Sequence, residues 1–521
     1  MKNNFDSLLL TTILLVLYSF NTIGQKAQFE WDDTDRGKLP NFEKSFFVSN
    51  NQVIFIEKTT TKPAGLKPYL YTYDDENNSL SVKHIEGLKH MEVFREFFNS
   101  VFFFETINDV TYRIDVEYEK RKFHNDTYSV SMQQIDLNNL SRLGEKITLL
   151  KSESTINDGD FYTQSNDNYL AIIKSGTHPF NLEFTDGQGF DVFVFETKGF
   201  ELVYSDKIVL SSDSKNGGSG RISLREDGSV YVKAKMYDDE NSTLKHGYNT
   251  PNQIKVVNLT KDQKEENVIE LNETSIFSSL ESNLNDVLIN LTIGEDKSSL
   301  RIRTTLDPFN NSSSSDEKTI SLPEILNKEN ASFSKRFIQT LKDEEDIYVL
   351  ATNGYSHTTS NNEIITAVSL AFRPTKGLGL TNLLFCTIVY RVDSEGVIEW
   401  YNVIPLAEFL TSVLDKEDNL HLYANGISEE YNAEGNYVGN NKTEVNANFS
   451  PIEVIINQST GDCESNKVLT DGFVDNQGFA STQVAFRFNE NCSLVGKNDQ
   501  NRISSVSSSS NNGITFGIVK F

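Results

Sequence analysis

Seven histidines, His84, His90, His124, His178, His246, His357 and His421, are scattered through 521 residues, and none has a partner at the helical or short-hairpin spacing that would bring two ring nitrogens to one metal ion. They read as strand or surface residues. Acidic groups are more numerous: Asp158 with Asp160, Asp186 with Asp191, and the runs Asp74, Asp75, Glu76 and Asp238, Asp239, Glu240 offer the hard oxygen ligands that Ca²⁺ takes. None follows the Asp-x-Asp-x-Asp-Gly spacing with a distal Glu, so each reads as a solvated turn, and no metal or cofactor is assigned. The chain has no Gly-x-Ser-x-Gly, His-Glu-x-x-His, Gly-rich phosphate loop or Cys-x-x-Cys. No catalytic residue is assigned either.

Two polar stretches, Tyr355 to Leu380 and Ile427 to Asn448, read as loop insertions, and their aromatic and imidazole side chains Tyr355, His357, Tyr431 and Tyr437 are the candidate ligand contacts. Cys463 and Cys492 lie in turn-rich sequence and form a candidate disulfide for an oxidising compartment, worth roughly 3 to 4 kcal/mol through the loop it closes. Cys386 sits in the apolar run Leu383 to Val392 and reads as a buried small hydrophobe.

Short strands must position these groups. Phe337 to Gly354 and Phe409 to Gly426 superpose without a gap and share seven of eighteen residues, Phe337, Asp343, Glu345, Asp346, Leu350, Asn353 and Gly354 in the first copy. About one identity is expected by chance, so the pattern reads as an internal repeat. Phe277, Asp286 and Gly294 keep the same spacing in a third copy. Each copy reads as two strands around an acidic turn, and the turns at Ser49 to Gln52, Ser165 to Asn168 and Arg225 to Gly228 announce the same hairpin elsewhere. A second hairpin follows each, as in Val192 to Phe195 with Phe200 to Tyr204, and Ile388 to Val392 with Val397 to Trp400. Closing strands fall near Leu80, Leu143, Leu202, Asn267, Glu317, Val397 and Asn466. Spacing of about 50 to 80 residues suits one four-stranded propeller blade with loop insertions.

The chain therefore looks like an all-β propeller of about seven four-stranded antiparallel blades, without the His and Trp-Asp blade signatures or the Ser-x-Asp-x-Gly-x-Thr-Trp turn of sialidase-like blades. A row of tandem β-sandwich domains is the alternative. Residues 25–43 read as a polar lead segment and 44–521 as one propeller domain, with the C-terminal strands expected beside N-terminal ones to close the ring.

Residues 1–24 read as a signal peptide: Lys2, the apolar run Leu8 to Tyr18, and Thr22 and Gly24 before a cut ahead of Gln25. That run is short for a transmembrane helix, and nothing later in the chain resembles one. The expected location is secreted or periplasmic. A net charge of −26 argues against nucleic-acid partners and anionic lipid surfaces. These features lead to an exported, non-catalytic binding or scaffold protein that meets a glycan or protein ligand through long loops on one propeller face. The competing expectation is a carbohydrate-active enzyme, a glycoside hydrolase or lyase, with carboxylates from several blades converging at the central channel.

Overall fold

The structure, a computed structural model, describes residues 28–31, 38–39, 42–49, 52–59, 65–84 (apart from 75 and 78), 101–119, 127–153, 161–175, 190–209, 220–236, 253–270, 274–281, 286–294, 299–309, 315–321, 347–374, 384–404, 409–427 (apart from 416), 430–438 (apart from 434), 449–468, 486–489, 492–498 and 514–520. The signal peptide and Phe337 lie outside the described residues.

Seven four-stranded antiparallel sheets, each a meander of consecutive strands, are arranged in a ring as a seven-bladed β-propeller. The blades span 42–84, 101–153, 161–208, 220–270, 274–321, 347–404 and 409–468, numbered here 1 to 7. First strands of successive blades abut, as Phe42–Ser49 with Val101–Ile107 and Ile347–Thr358 with Phe409–Leu414, so they form the inner ring. An eighth, composite sheet joins Gln28–Trp31 and Lys38–Leu39 to the C-terminal strands Phe486–Asn489, Cys492–Asn498 and Ile514–Lys520. The polar lead thus contributes two short strands, and the C-terminal strands lie beside them, as expected.

Strand composition follows position in the blade. Second strands are covered on both faces, so Val287–Ile293 is buried at every residue. Fourth strands meet solvent, and Lys264–Glu270 is exposed except at alternate Asn267 and Ile269. The core is a set of interfaces between neighbouring sheets: Ile114 and Val130 meet Leu170 and Ile172, Val192 and Val194 meet Val230 and Val232, and Phe277 and Ile302 meet Val368 and Ile388. Burying each such side chain contributes about 1.5 to 3 kcal/mol. A chain of modest apolar content is thereby stabilised around a ring without one large core.

Hairpins of one kind recur. In Arg225 to Ser229, Thr359 to Glu363, Asp393 to Val397 and Asp415 to Asn419, the first N–H donates to the fifth carbonyl and the fourth N–H to the first carbonyl, at 2.8 to 3.1 Å. The fourth residue takes a positive φ in all four, at Gly228, Asn362, Gly396 and Asp418. Glycine, asparagine and aspartate tolerate that conformation best. Acidic side chains hold the turns as expected: Asp415 Oδ1 accepts from the N–H groups of Glu417 at 2.8 Å and Asn419 at 2.9 Å.

Two sequence expectations are corrected. Leu350, Asn353 and Gly354 lie on the first strand of blade 6, whereas Leu422, Asn425 and Gly426 lie on the second strand of blade 7, so the eighteen-residue superposition is out of register. The equivalence that survives is Phe277 with Phe409. They pair with Leu291 and Ala424, each the fifth residue of its second strand, and Gly354, opposite Val368, holds that rung in blade 6. Second, Tyr355 to Leu380 is not an insertion: Tyr355 to Thr358 complete the first strand, and Ile364–Pro374 is the second. Thr359 replaces aspartate at the head of the turn between them, its Oγ1 accepting from Glu363 N–H at 3.1 Å. Without the acidic signal, turn and strands read as one polar loop.

Candidate functional site

The first strands of blades 5 to 7, Thr274–Glu281, Ile347–Thr358 and Phe409–Leu414, carry the groups that meet on the inner ring. Phe277 covers Gly354, where any Cβ would collide with its ring, and Asn353 Nδ2 donates to the Phe409 carbonyl at 2.7 Å. This close packing brings the neighbouring side chains together. Ser356 Oγ shares a hydrogen bond with Thr366 Oγ1 at 2.9 Å and donates to Ser279 Oγ at 3.4 Å. His357 Nε2 and Ser412 Oγ are 2.7 Å apart. Tyr355 stands 39% exposed beside them, its ring 5.9 Å from that of the buried Phe409 and tilted by 52°. Thr352 and Thr358 on the same strand are also exposed. The result is an open aromatic face in a setting of hydroxyls and one imidazole.

Across blades 2 to 4 the inner strands are tied by polar side chains as well. Ser165 Oγ donates to Glu105 Oε2 at 2.5 Å, and the Leu224 N–H donates to Gln164 Oε1 at 2.9 Å. Burial pushes the Glu105 carboxyl up from its ordinary value, and hydrogen bonds from Ser165 and Thr163 oppose that only in part.

Tyr355 and His357, expected on a loop, therefore sit on the inner ring near the end that carries the first hairpin turns. Tyr431 and Tyr437 do lie in the Ile427 to Asn448 insertion, which joins the second and third strands of blade 7 at the opposite end. The two rings meet edge to face with centroids 5.3 Å apart, and the residues pair across a single β-bridge. Tyr431 Oη donates to Asn466 Oδ1 at 3.0 Å, Tyr437 N–H to the Asn466 carbonyl at 3.1 Å, and Val468 N–H to the Gly435 carbonyl at 2.7 Å. This part of the insertion folds onto the outer strand Cys463–Val468 of its own blade, away from the inner ring. The two stretches therefore do not form long loops on one propeller face, and that expectation is corrected.

Among the described residues no group of three or more His, Cys, Asp or Glu side chains is placed to hold a metal ion. Asp74 is a turn cap: its Oδ1 accepts from Glu76 N–H at 3.0 Å and Asn77 N–H at 3.1 Å, and its Oδ2 from Asn77 Nδ2 at 2.7 Å. These bonds, Asn77's above all, lower its pKa. Asp158, Asp160, Asp186 and the Asp238 to Glu240 run lie outside the described residues. Cys463 is exposed at the head of the outer strand of blade 7, Cys492 begins a strand of the composite sheet, and Cys386 is buried.

One constellation escaped the sequence reading. In blade 7, His421 Nδ1 is 3.0 Å from Glu453 Oε1 and its Nε2 is 3.3 Å from Asp415 Oδ2, while Tyr423 Oη donates to Glu453 Oε1 at 2.8 Å. His421, Tyr423 and Glu453 are all buried. The legible sign was Glu453 itself, a charge inside the apolar strand Phe449–Ile456. Its cross-strand neighbour Tyr423 and the diagonal neighbour His421 come together only through the register.

No protein-family model and no curated protein sequence matches the chain. Among solved structures it is similar to an acylaminoacyl peptidase of Pyrococcus horikoshii, at 9% identity and a TM-score of 0.35, over 91% of this chain and 60% of that one. It is likewise similar to the Dos1 propeller, at 8% identity and a TM-score of 0.41 over 92% of each chain. A third is a PL25 ulvan lyase, at 11% identity and a TM-score of 0.32 over 64% of this chain and 78% of that one. The chain spans about three-fifths of the peptidases it matches.

Proposed function

We propose that this protein is an exported, non-catalytic binding protein that captures a glycan on the inner ring of blades 5 to 7. The observation that supports this reading is Tyr355, an exposed aromatic on a rigid inner strand, flanked by Thr352, Ser356, His357 and Thr358 and backed by Phe409. An aromatic face takes the C–H side of a sugar ring, and neighbouring hydroxyl and imidazole groups exchange hydrogen bonds with sugar hydroxyls. Cross-blade bonds pre-set this arrangement, which lowers the ordering cost of binding. Export follows from the N-terminal basic and apolar pattern.

A panel of immobilised oligosaccharides presented to the intact mature protein tests the reading. Tyr355→Ala should weaken capture at least tenfold with little change in melting temperature. Undiminished capture by the folded variant removes the inner ring from consideration, and shortened oligosaccharides in the wash would replace binding by catalysis. N-terminal sequencing of exported protein should begin at Gln25.

A further inference from the structure

A cleft of about 370 Å³ opens between blades 1 and 2. It lies where the Asn108 to Asp109 turn and the Asp136 to Leu140 turn of blade 2 face Gln52 and Leu70 of blade 1. Its walls combine an apolar strip of Leu70, Val110, Ile135 and Leu143 with polar groups that mainly accept hydrogen bonds. Asp136 Oδ1 is occupied by Asn138 N–H at 2.8 Å and Asn138 Nδ2 at 3.0 Å, which leaves Oδ2 available. Gln52 spends its amide N–H on Thr72 Oγ1 at 3.3 Å and keeps its carbonyl oxygen. Asp109 adds an exposed carboxylate at the mouth.

Lys83 spans the two blades, its Nζ donating to Asn138 Oδ1 at 2.9 Å. That contact links the two blades and engages the Asn138 amide rather than either carboxylate.

We propose that this cleft is a second binding site, one that takes an arginine side chain of a protein partner. The aliphatic stem of arginine matches the apolar strip, and its planar fork of N–H donors matches paired carboxylate and amide oxygens. The strongly acidic chain favours a basic partner by charge. A neutral sugar would leave the carboxylates without a counter-charge.

Fluorescence anisotropy of the intact mature protein with a labelled Gly-Arg-Gly peptide tests this, with the same peptide carrying citrulline as the uncharged isostere. The arginine peptide should bind at least tenfold more tightly. Asp136→Asn and Asp109→Asn should each weaken it about tenfold, the loss expected for one charge-assisted pair. Both variants preserve the fold: an amide oxygen still caps the 136 turn, and asparagine accepts the positive φ of 63° at position 109. Asp262→Asn, in an exposed turn of blade 4, should change nothing. Equal binding of the two peptides, wild-type affinity in the cleft variants, or an equal loss in Asp262→Asn would each overturn the site. Glycan capture at Tyr355 is unaffected by these cleft variants, so the two proposals fail separately.

Discussion

Removing the imidazole of His421 should strip the protein of a pH-dependent share of its stability. Burial by itself lowers the pKa of this ring, but hydrogen bonds and charges from Asp415 and Glu453 outweigh it and bring the value up to about 9, from an ordinary 6.5. A folded-state pKa above the unfolded one means that the proton is held more tightly by the native state. The stabilisation is therefore complete below about pH 6.5 and is lost as pH rises through about 9. At about 1.4 kcal/mol per unit, the difference is on the order of 3 kcal/mol. On the acid side Asp415 behaves oppositely. Desolvation would raise its pKa, but hydrogen bonds from His421, Asn419 and the turn backbone lower it. Its contribution is present above the ordinary carboxylate range and fades as pH falls through the depressed value. Urea unfolding at fixed temperature, followed from pH 5 to pH 10 for wild type and His421→Leu, isolates the histidine in the difference between the curves. The variant should be less stable by about 3 to 5 kcal/mol near pH 6, because Glu453 is left buried beside Tyr423 without its cation. The gap should narrow above pH 9. A gap that stays constant from pH 6 to pH 10 would refute the reasoning, since it would mean that the ring contributes by volume alone.

Gly354→Ala should cost about 1 to 3 kcal/mol, because the added methyl meets the Phe277 ring at the interface of blades 5 and 6; a lowered melting temperature checks this, and Phe277→Leu should recover part of the loss. Tyr431→Phe should cost about 1 kcal/mol, the net value of its bond to Asn466, without altering glycan capture. We further propose that Cys463 and Cys492 pair in the exported protein while Cys386, whose thiol burial pushes far above its ordinary pKa, resists alkylation until the chain unfolds. Non-reducing mass mapping and timed alkylation read both, and alkylation of Cys386 in the folded protein would contradict its burial.

Much of the fold was legible because the features that encode it are local. The turns at Ser165 to Asn168, Arg225 to Gly228 and Asp393 to Gly396 announce themselves by Asp, Asn and Gly, and all three join paired strands. Closing strands near Leu80, Leu143, Leu202, Asn267, Glu317, Val397 and Asn466 fall in or beside the fourth strands of the seven blades. Blade 6 misled because its first turn is Thr-Ser-Asn-Asn-Glu, with a hydroxyl cap in place of a carboxylate, and because Ile347–Thr358 begins with the apolar run expected of a second strand. The inner-ring group was illegible for a different reason. Ser279, Ser356, His357 and Ser412 are unremarkable in their own strands, and they become neighbours only when separate blades are placed side by side. Likewise His421, read as filler, gains its chemistry from Asp415 one turn away and Glu453 on the adjacent strand.

The composite sheet has a consequence for how the molecule is made. Gln28 pairs with Lys520, so residues about 490 apart in sequence meet in one sheet, and that pairing must wait until the last strand has been synthesised. Joining ends so distant costs loop entropy and slows the step, while the seven hairpin meanders form from near neighbours. Until Ile514–Lys520 arrives, Gln28–Trp31 is an open strand edge able to pair with another chain. A chain threaded through a membrane from its N-terminus would carry that edge across first. A folding helper that shields Gln28–Trp31 during transit would therefore raise the yield of correctly joined composite sheets, and a short peptide copying Ile514–Lys520 would lower it by occupying the same edge.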